Sequence, residues 1–70
     1  MAKIIINNNI RKLRFNNNEM TQLELAKKAG VTRQTIVAVE NKKYSPSLDL
    51  AFRIAHVLNT SLEEVFSYEI

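Results

Sequence analysis

The chain contains one glycine, Gly30, and the residues on either side of it restrict the fold more than any other feature of the sequence. Ahead of it, Thr21-Gln22-Leu23-Glu24 has the Thr-x-x-Glu spacing of a capping box. There, hydroxyl and carboxylate each satisfy a backbone amide that the first turn of a helix leaves unpaired. Leu25, Ala26 and Ala29 then supply an apolar stripe at helical spacing. A glycine directly after such a stripe ends the helix, because without a Cβ it enters the left-handed region at little cost. Beyond Val31, Thr32 can cap a further helix whose stripe is Ile36 and Val39 and which fades in Asn41-Lys42-Lys43. Two short helices separated by so tight a turn form a helix-turn-helix arrangement.

The flanking segments predict three more helices. Ile10 and Leu13, with Arg11, Lys12 and Arg14 around them, give an amphipathic helix over residues 8–17, Phe15 lying off its stripe. Tyr44-Ser45-Pro46-Ser47 reads as a loop, since proline disfavours a helical residue before it and Ser47 can cap the next helix. Leu48, Leu50, Ala51, Ile54, Ala55 and Leu58 keep a three–four rhythm as far as about Leu58, and Asn59-Thr60 closes that helix. Thr60 or Ser61 caps a fifth, with Glu63 and Glu64 in its first turn, where negative charge is favoured, and with Leu62, Val65 and Phe66 turned inward. The eight asparagines include triplets at 7–9 and 16–18, where helices begin or end, so a structural role is expected of them. At the ends of the sequence Ile4-Ile5-Ile6 is β-branched, and Phe66, Tyr68 and Ile70 alternate with Ser67 and Glu69. Two antiparallel strands at about 3–7 and 66–70 are expected; the alternative is a frayed N-terminus and a longer fifth helix. The fold class expected is all-α, five helices with a small two-stranded β ribbon formed by the termini, in a single domain over residues 1–70.

Composition excludes several classes of function. Seventy residues leave room for one small domain. The absence of cysteine excludes disulfides, thiolate zinc sites and cysteine nucleophiles, and suits a reducing compartment. No apolar run approaches the roughly 20 residues of a membrane span, and the start lacks the apolar centre of a secretory signal, so no membrane partner and a cytoplasmic location are expected. The one histidine, His56, has no acid or cysteine at metal-ligand spacing, so no metal is expected. Glu63 and Glu64, as neighbours on a helix, point about 100° apart and make a poor acid/base pair. With no glycine-rich phosphate loop either, no enzyme and no cofactor are expected.

Charge is distributed unevenly. Residues 3–53 hold all ten lysines and arginines against four acids, Glu19, Glu24, Glu40 and Asp49, whereas the last 17 residues hold Glu63, Glu64 and Glu69 and no base. One region can meet an anion that the other avoids. The plainer alternative is a solvated basic surface.

The third helix is the element suited to that anion. With Ile36 and Val39 on the core, a turn of 100° per residue places Gln34, Val37, Ala38 and Asn41 on the far side and Arg33 at the flank of the first turn. The major groove admits one helix, and residues of its N-terminal part reach the base edges. Arg33 can donate twice to guanine O6 and N7, Gln34 can pair with adenine N6 and N7, and an exposed Val37 can touch a thymine methyl with Ala38 beside it. The alternative for Arg33 and Gln34 is an ordinary solvated helix start. Phosphate contacts are expected from Gln22, Thr32, Thr35, Asn41, Lys42, Lys43 and Tyr44, groups that position a helix without specifying sequence. Lys3, Arg11, Lys12, Lys27 and Lys28 are expected to be solubilising.

Residues 21–41, TQLELAKKAGVTRQTIVAVEN, resemble the Cro and lambda-repressor type of bacterial and phage regulators, the xenobiotic-response-element family. The similarity covers about residues 10–66, through ENKKYSPSLDLA and LNTSLEEVF, and among short members it looks most like the cytolysin-repressor type. The resemblance implies terminal strands flanking five helices and a homodimer on double-stranded DNA. It also implies a structural ion pair between Arg14 and Glu40. One departure is an extra residue between Arg14 and Thr21. The expected function is a transcriptional regulator, a repressor, reading a palindromic operator whose half-sites lie about 34 Å apart. Leu62, Val65, Phe66 and Tyr68 are candidates for the dimer interface, core burial being the competing explanation for the first three. The rival expectation is a protein-binding module such as an antitoxin or adaptor on the same fold. No ligand pocket is legible, so a regulatory protein partner is a further possibility.

Overall fold

Both halves of the capping box form: Thr21 Oγ1 accepts from the Glu24 amide at 3.0 Å, and Glu24 Oε1 accepts from the Thr21 amide at 3.1 Å. Hydrogen bonding to the carboxyl from Thr21, first from its backbone and then from its side chain, holds the Glu24 carboxyl below its ordinary pKa, with Lys28 adding to the effect. Because the folded value is depressed, this contribution is present above the ordinary carboxylate pKa and is lost as pH falls through the lowered one. The structure, a computed structural model, describes residues 3–70. The helix that begins here, α2 (Gln22–Ala29), ends at Gly30, whose φ is +76° and whose neighbour Val31 donates its amide to the Ala26 carbonyl at 2.9 Å. A Cβ on Gly30 would meet only the end of the Arg53 side chain, at 3.4 Å, so backbone conformation and not space requires glycine.

The other elements follow the same logic of caps and stripes. In chain order they are β1 (Ile5–Asn8), α1 (Ile10–Asn16), α2, α3 (Arg33–Glu40), α4 (Leu48–Val57), α5 (Leu62–Val65) and β2 (Phe66–Glu69). Hydroxyls of Thr32, Ser47 and Ser61 cap α3, α4 and α5, each accepting from the amide three residues on. The first helix is shorter than residues 8–17, because Asn8 belongs to β1, Asn9 precedes the helix as its cap residue and Asn17 ends it. Asn18 and Glu19 then take successive positive φ values of 58° and 54°, which absorbs the longer connection to α2.

One core joins the five helices. Ile10, Leu25, Ile36, Ile54 and Val65 are its largest fully buried side chains, with Ala26, Ala29, Val39, Leu50, Ala55 and Leu58 around them. Two residues depart from helical periodicity. Met20, which belongs to no helix, is 5% exposed and plugs the core where the turn after α1 folds back. Leu48, counted on the α4 stripe, is 69% exposed: as the first residue of the helix it sits at the edge of the stripe, four residues before Phe52, which is also exposed.

The two strands pair antiparallel, Ile5 opposite Glu69, Ile6 opposite Tyr68, Asn7 opposite Ser67 and Asn8 opposite Phe66. A two-stranded ribbon is marginal alone, and here asparagines tie it to the helices. Asn8 Nδ2 donates to the Val39 carbonyl at 3.1 Å, its Oδ1 accepts from the Ile10 amide at 3.2 Å, and Asn9 Nδ2 donates to the Glu64 carbonyl at 3.2 Å. Asn8 thus satisfies a carbonyl in the last turn of α3, one of the acceptors that a helix end leaves without an internal partner.

Candidate nucleic-acid interface

Ile36 is wholly buried and Val39 is 2% exposed, and these two anchors fix the rotation of α3 about its axis. Arg33, Gln34 and Asn41 consequently face solvent, with Thr32 exposed at the cap. Val37 is half-buried, not exposed as a helical wheel has it, and so are Thr35 and Ala38. Val37 lies one residue from Ile36, so part of its side chain rests against the protein and the remainder faces outward.

Arg33 is held in place. Its guanidinium Nη2 donates to Gln22 Oε1 at 3.2 Å, and Gln22 Nε2 donates in turn to Glu40 Oε1 at 3.3 Å. Glu40 accepts twice from Arg14, Nε to Oε2 at 2.7 Å and Nη2 to Oε1 at 3.1 Å, while Arg14 Nη1 donates to the Met20 carbonyl at 2.8 Å. The chain Met20–Arg14–Glu40–Gln22–Arg33 therefore runs from the turn after α1, through the end of α3 and the start of α2, to the first residue of α3. It brings together four residues singled out in the sequence: Arg14, Glu40, Gln22 and Arg33. The Arg14 and Glu40 side chains are only 13% and 8% exposed, and their two parallel hydrogen bonds have the fork geometry that makes arginine–carboxylate pairs strong.

The cations beyond α3 lie on its exit turn. Lys42 has a φ of +61° and donates through Nζ to Asn7 Oδ1, while Lys43 and Tyr44 are exposed. The apolar residues expected at a dimer interface divide. Tyr68 is 67% exposed and Leu62 and Phe66 are half-buried, whereas Val65 is fully buried in the core and leaves no surface for a partner. Core packing explains Val65, as the competing reading has it. Sequence reasoning assigns the asparagines only a general structural role; no local spacing could show that Asn8 would reach the end of α3, 31 residues away.

Among the described residues no group of three or more His, Cys, Asp or Glu is placed to hold a metal ion, and His56 is exposed. Among the described residues no helix is long and apolar enough to cross a membrane.

Comparison with known proteins agrees with this geometry. A helix-turn-helix family profile matches residues 10–65. An uncharacterized HTH-type transcriptional regulator of Methanocaldococcus jannaschii is 56% identical over 50 residues, covering 71% of this chain and 76% of the relative. An uncharacterized HTH-type transcriptional regulator of Bacillus subtilis is 43% identical over 49 residues, covering 70% and 74%. Among solved structures, a candidate DNA-binding protein from Bacteroides fragilis superposes with a TM-score of 0.75 at 26% identity, over 89% of this chain and 98% of that one. These relatives are described as regulators or as DNA-binding, not as enzymes. They include archaeal as well as bacterial proteins, a wider range than bacterial and phage regulators alone.

Proposed function

This chain belongs to the Cro/C1-type helix-turn-helix family of transcriptional regulators, and we propose that it is a repressor, of the short cytolysin-repressor type, that binds a palindromic operator as a homodimer. One observation above all supports this reading: Arg33 and Gln34 at the start of α3 are exposed while Ile36 and Val39 of the same helix are buried, and the leading arginine is held by Gln22. In this reading the single domain presents Arg33 and Gln34 to guanine and adenine in the major groove, with Val37 and Ala38 against thymine methyls. Gln22, Thr32, Thr35, Asn41, Lys42, Lys43 and Tyr44 hold the phosphates on either side. In this reading repression results from occupancy of the operator. The partner class is double-stranded DNA, with a regulatory protein as the further candidate.

The test begins with selection of bound sites from random duplex DNA. At the selected site, Arg33→Ala and Gln34→Ala are each expected to cost about 1–3 kcal/mol of binding and to relax preference at one base position, with the fold intact. Unchanged binding by both variants would overturn direct readout and favour a protein-binding module. Lys43→Ala is expected instead to weaken all sequences alike and to make log K shallower in log salt by about one unit. An affinity insensitive to salt would rule out its phosphate contact.

For the dimer, Leu62, Phe66 and Tyr68 remain as interface candidates. The ribbon adds support, because Ile6 and its cross-strand partner Tyr68 are both exposed on one face. Sedimentation at micromolar concentration is expected to give twice the 8.1 kDa of the chain. An 8.1 kDa species alone, with and without operator duplex, would contradict the homodimer.

A further inference from the structure

A groove of about 920 Å³ is lined by α1, by Glu19 and Met20 that follow it, and by the start of α2 and the end of α3, so that it continues onto the face just described through Gln22 and Asn41. Arg11, Lys12 and Phe15 line it from α1. Arg11 precedes Arg14 by one turn, so the two guanidinium groups share a side of the helix. Their states differ. Arg14 is spent on Glu40, whereas the ion pairs among the described residues, Arg14–Glu40 and Arg53–Asp49, leave Arg11 and Lys12 without a carboxylate. Both are exposed. The acids on the groove are Glu40, compensated by Arg14, and Glu19, exposed on the turn. Two free cations, one free acid and several amides facing an open channel suit a chain of phosphates better than a carboxylate-rich or apolar partner.

We propose that this groove takes the sugar–phosphate strand of the duplex beyond the base pairs read by α3, with Arg11 and Lys12 as its phosphate donors. The inference rests on the DNA-binding reading and extends it: the footprint of each protomer reaches past the recognition helix, and flanking duplex adds affinity without adding sequence preference. Phe15, 66% exposed and off the apolar stripe of α1, presents a flat apolar wall at the same place.

Two duplexes test the groove: one ends at the edge of the selected half-site, and the other carries additional flanking base pairs. Affinity is measured for both across a range of salt concentrations. On the longer duplex, Arg11→Ala and Lys12→Ala are each expected to make log K shallower in log salt by about one unit, and neither is expected to change binding to the shorter one. Glu19→Gln removes the opposing charge and is expected to tighten binding to the longer duplex alone, a gain that a damaged fold cannot produce. Unchanged slopes on the longer duplex, or equal losses on both, would overturn the proposal. Arg33→Ala separates this outcome from failure of the broader reading: if it still relaxes base preference while Arg11→Ala and Lys12→Ala do nothing, the groove alone is excluded. Failure of the unaltered protein to bind either duplex would overturn both.

Discussion

Replacing Arg14 by alanine is expected to lower the stability of this domain by about 3–5 kcal/mol, because it strands a shielded carboxylate and a shielded carbonyl together. Glu40 loses both of its arginine hydrogen bonds and keeps only the one from Gln22, while the Met20 carbonyl loses its side-chain donor. At about 0.05–0.15 kcal/mol per residue, a chain of this length has only about 4–10 kcal/mol in total, so this one change removes a large share of it. A loss of 3 kcal/mol in a domain of this size corresponds to a fall in Tm of at least about 12 °C, readable by thermal or urea unfolding. The double replacement Arg14→Met with Glu40→Leu is expected to recover part of the loss, since it leaves no shielded charge unpaired, although the Met20 carbonyl still lacks its side-chain donor. A single variant within about 0.5 kcal/mol of the unaltered protein, the usual range for a plain surface change, would show that solvent screens the pair. The same variant bears on function, because the pair holds the end of α3 against α1 and supports the Gln22–Arg33 contact through Glu40. Loss of DNA binding by Arg14→Ala is therefore expected to exceed what its unfolded fraction explains.

Legibility in the sequence divides by range. Capping boxes, hydroxyl caps and a terminating glycine act within three or four residues, so Thr21, Thr32, Ser47 and Gly30 could be assigned from spacing alone, whereas spacing left Thr60 and Ser61 as alternatives for the cap that Ser61 supplies. Stripes at helical period found Leu25, Ile36, Val39 and Ile54, because amphipathicity is itself local. Met20 could not be found that way: it belongs to no helix, and only the return of the chain by the turn of residues 17–20 carries it inward. The half-burial of Val37 depends on its neighbours in space, which a helical wheel does not contain. Nor does local spacing place Asn8 at the α3 terminus, or Arg11 and Lys12 beside Gln22 and Asn41. The Arg14–Glu40 pair, equally long in range, came from resemblance to a family and not from spacing. At the candidate interface the residue types were legible, whereas the hydrogen-bonded chain that positions them required the fold.

Ile36→Ala is the complementary experiment, since it acts on the opposite face of α3 from Gln34. Ile36 is wholly buried, and truncating such a side chain costs about 2–5 kcal/mol from lost transfer free energy and the cavity left behind. Ile10, Leu25, Ile54 and Val65, its fellow large core residues, come from the four other helices, so little freedom exists for the site to close without moving an element. Urea unfolding is expected to show the loss as a lower midpoint with an unchanged slope. Base preference is the second readout. Val39 still anchors one side of α3 and Asn8 still holds its last turn, so the folded fraction of Ile36→Ala is expected to select the same half-site as the unaltered protein. Gln34→Ala is expected to do the reverse, keeping stability within about 0.5 kcal/mol, as solvent-facing substitutions do, while relaxing preference at one base pair. If instead Ile36→Ala changed the selected sequence, α3 would have rolled into the cavity, and the helix would be less firmly fixed than its two buried anchors imply. A loss below about 1 kcal/mol, well under the range for a buried isoleucine, would mean that the core had closed over the missing methyl groups, and the rotation of α3 would then have to depend on Val39 and the polar chain through Glu40 and Gln22.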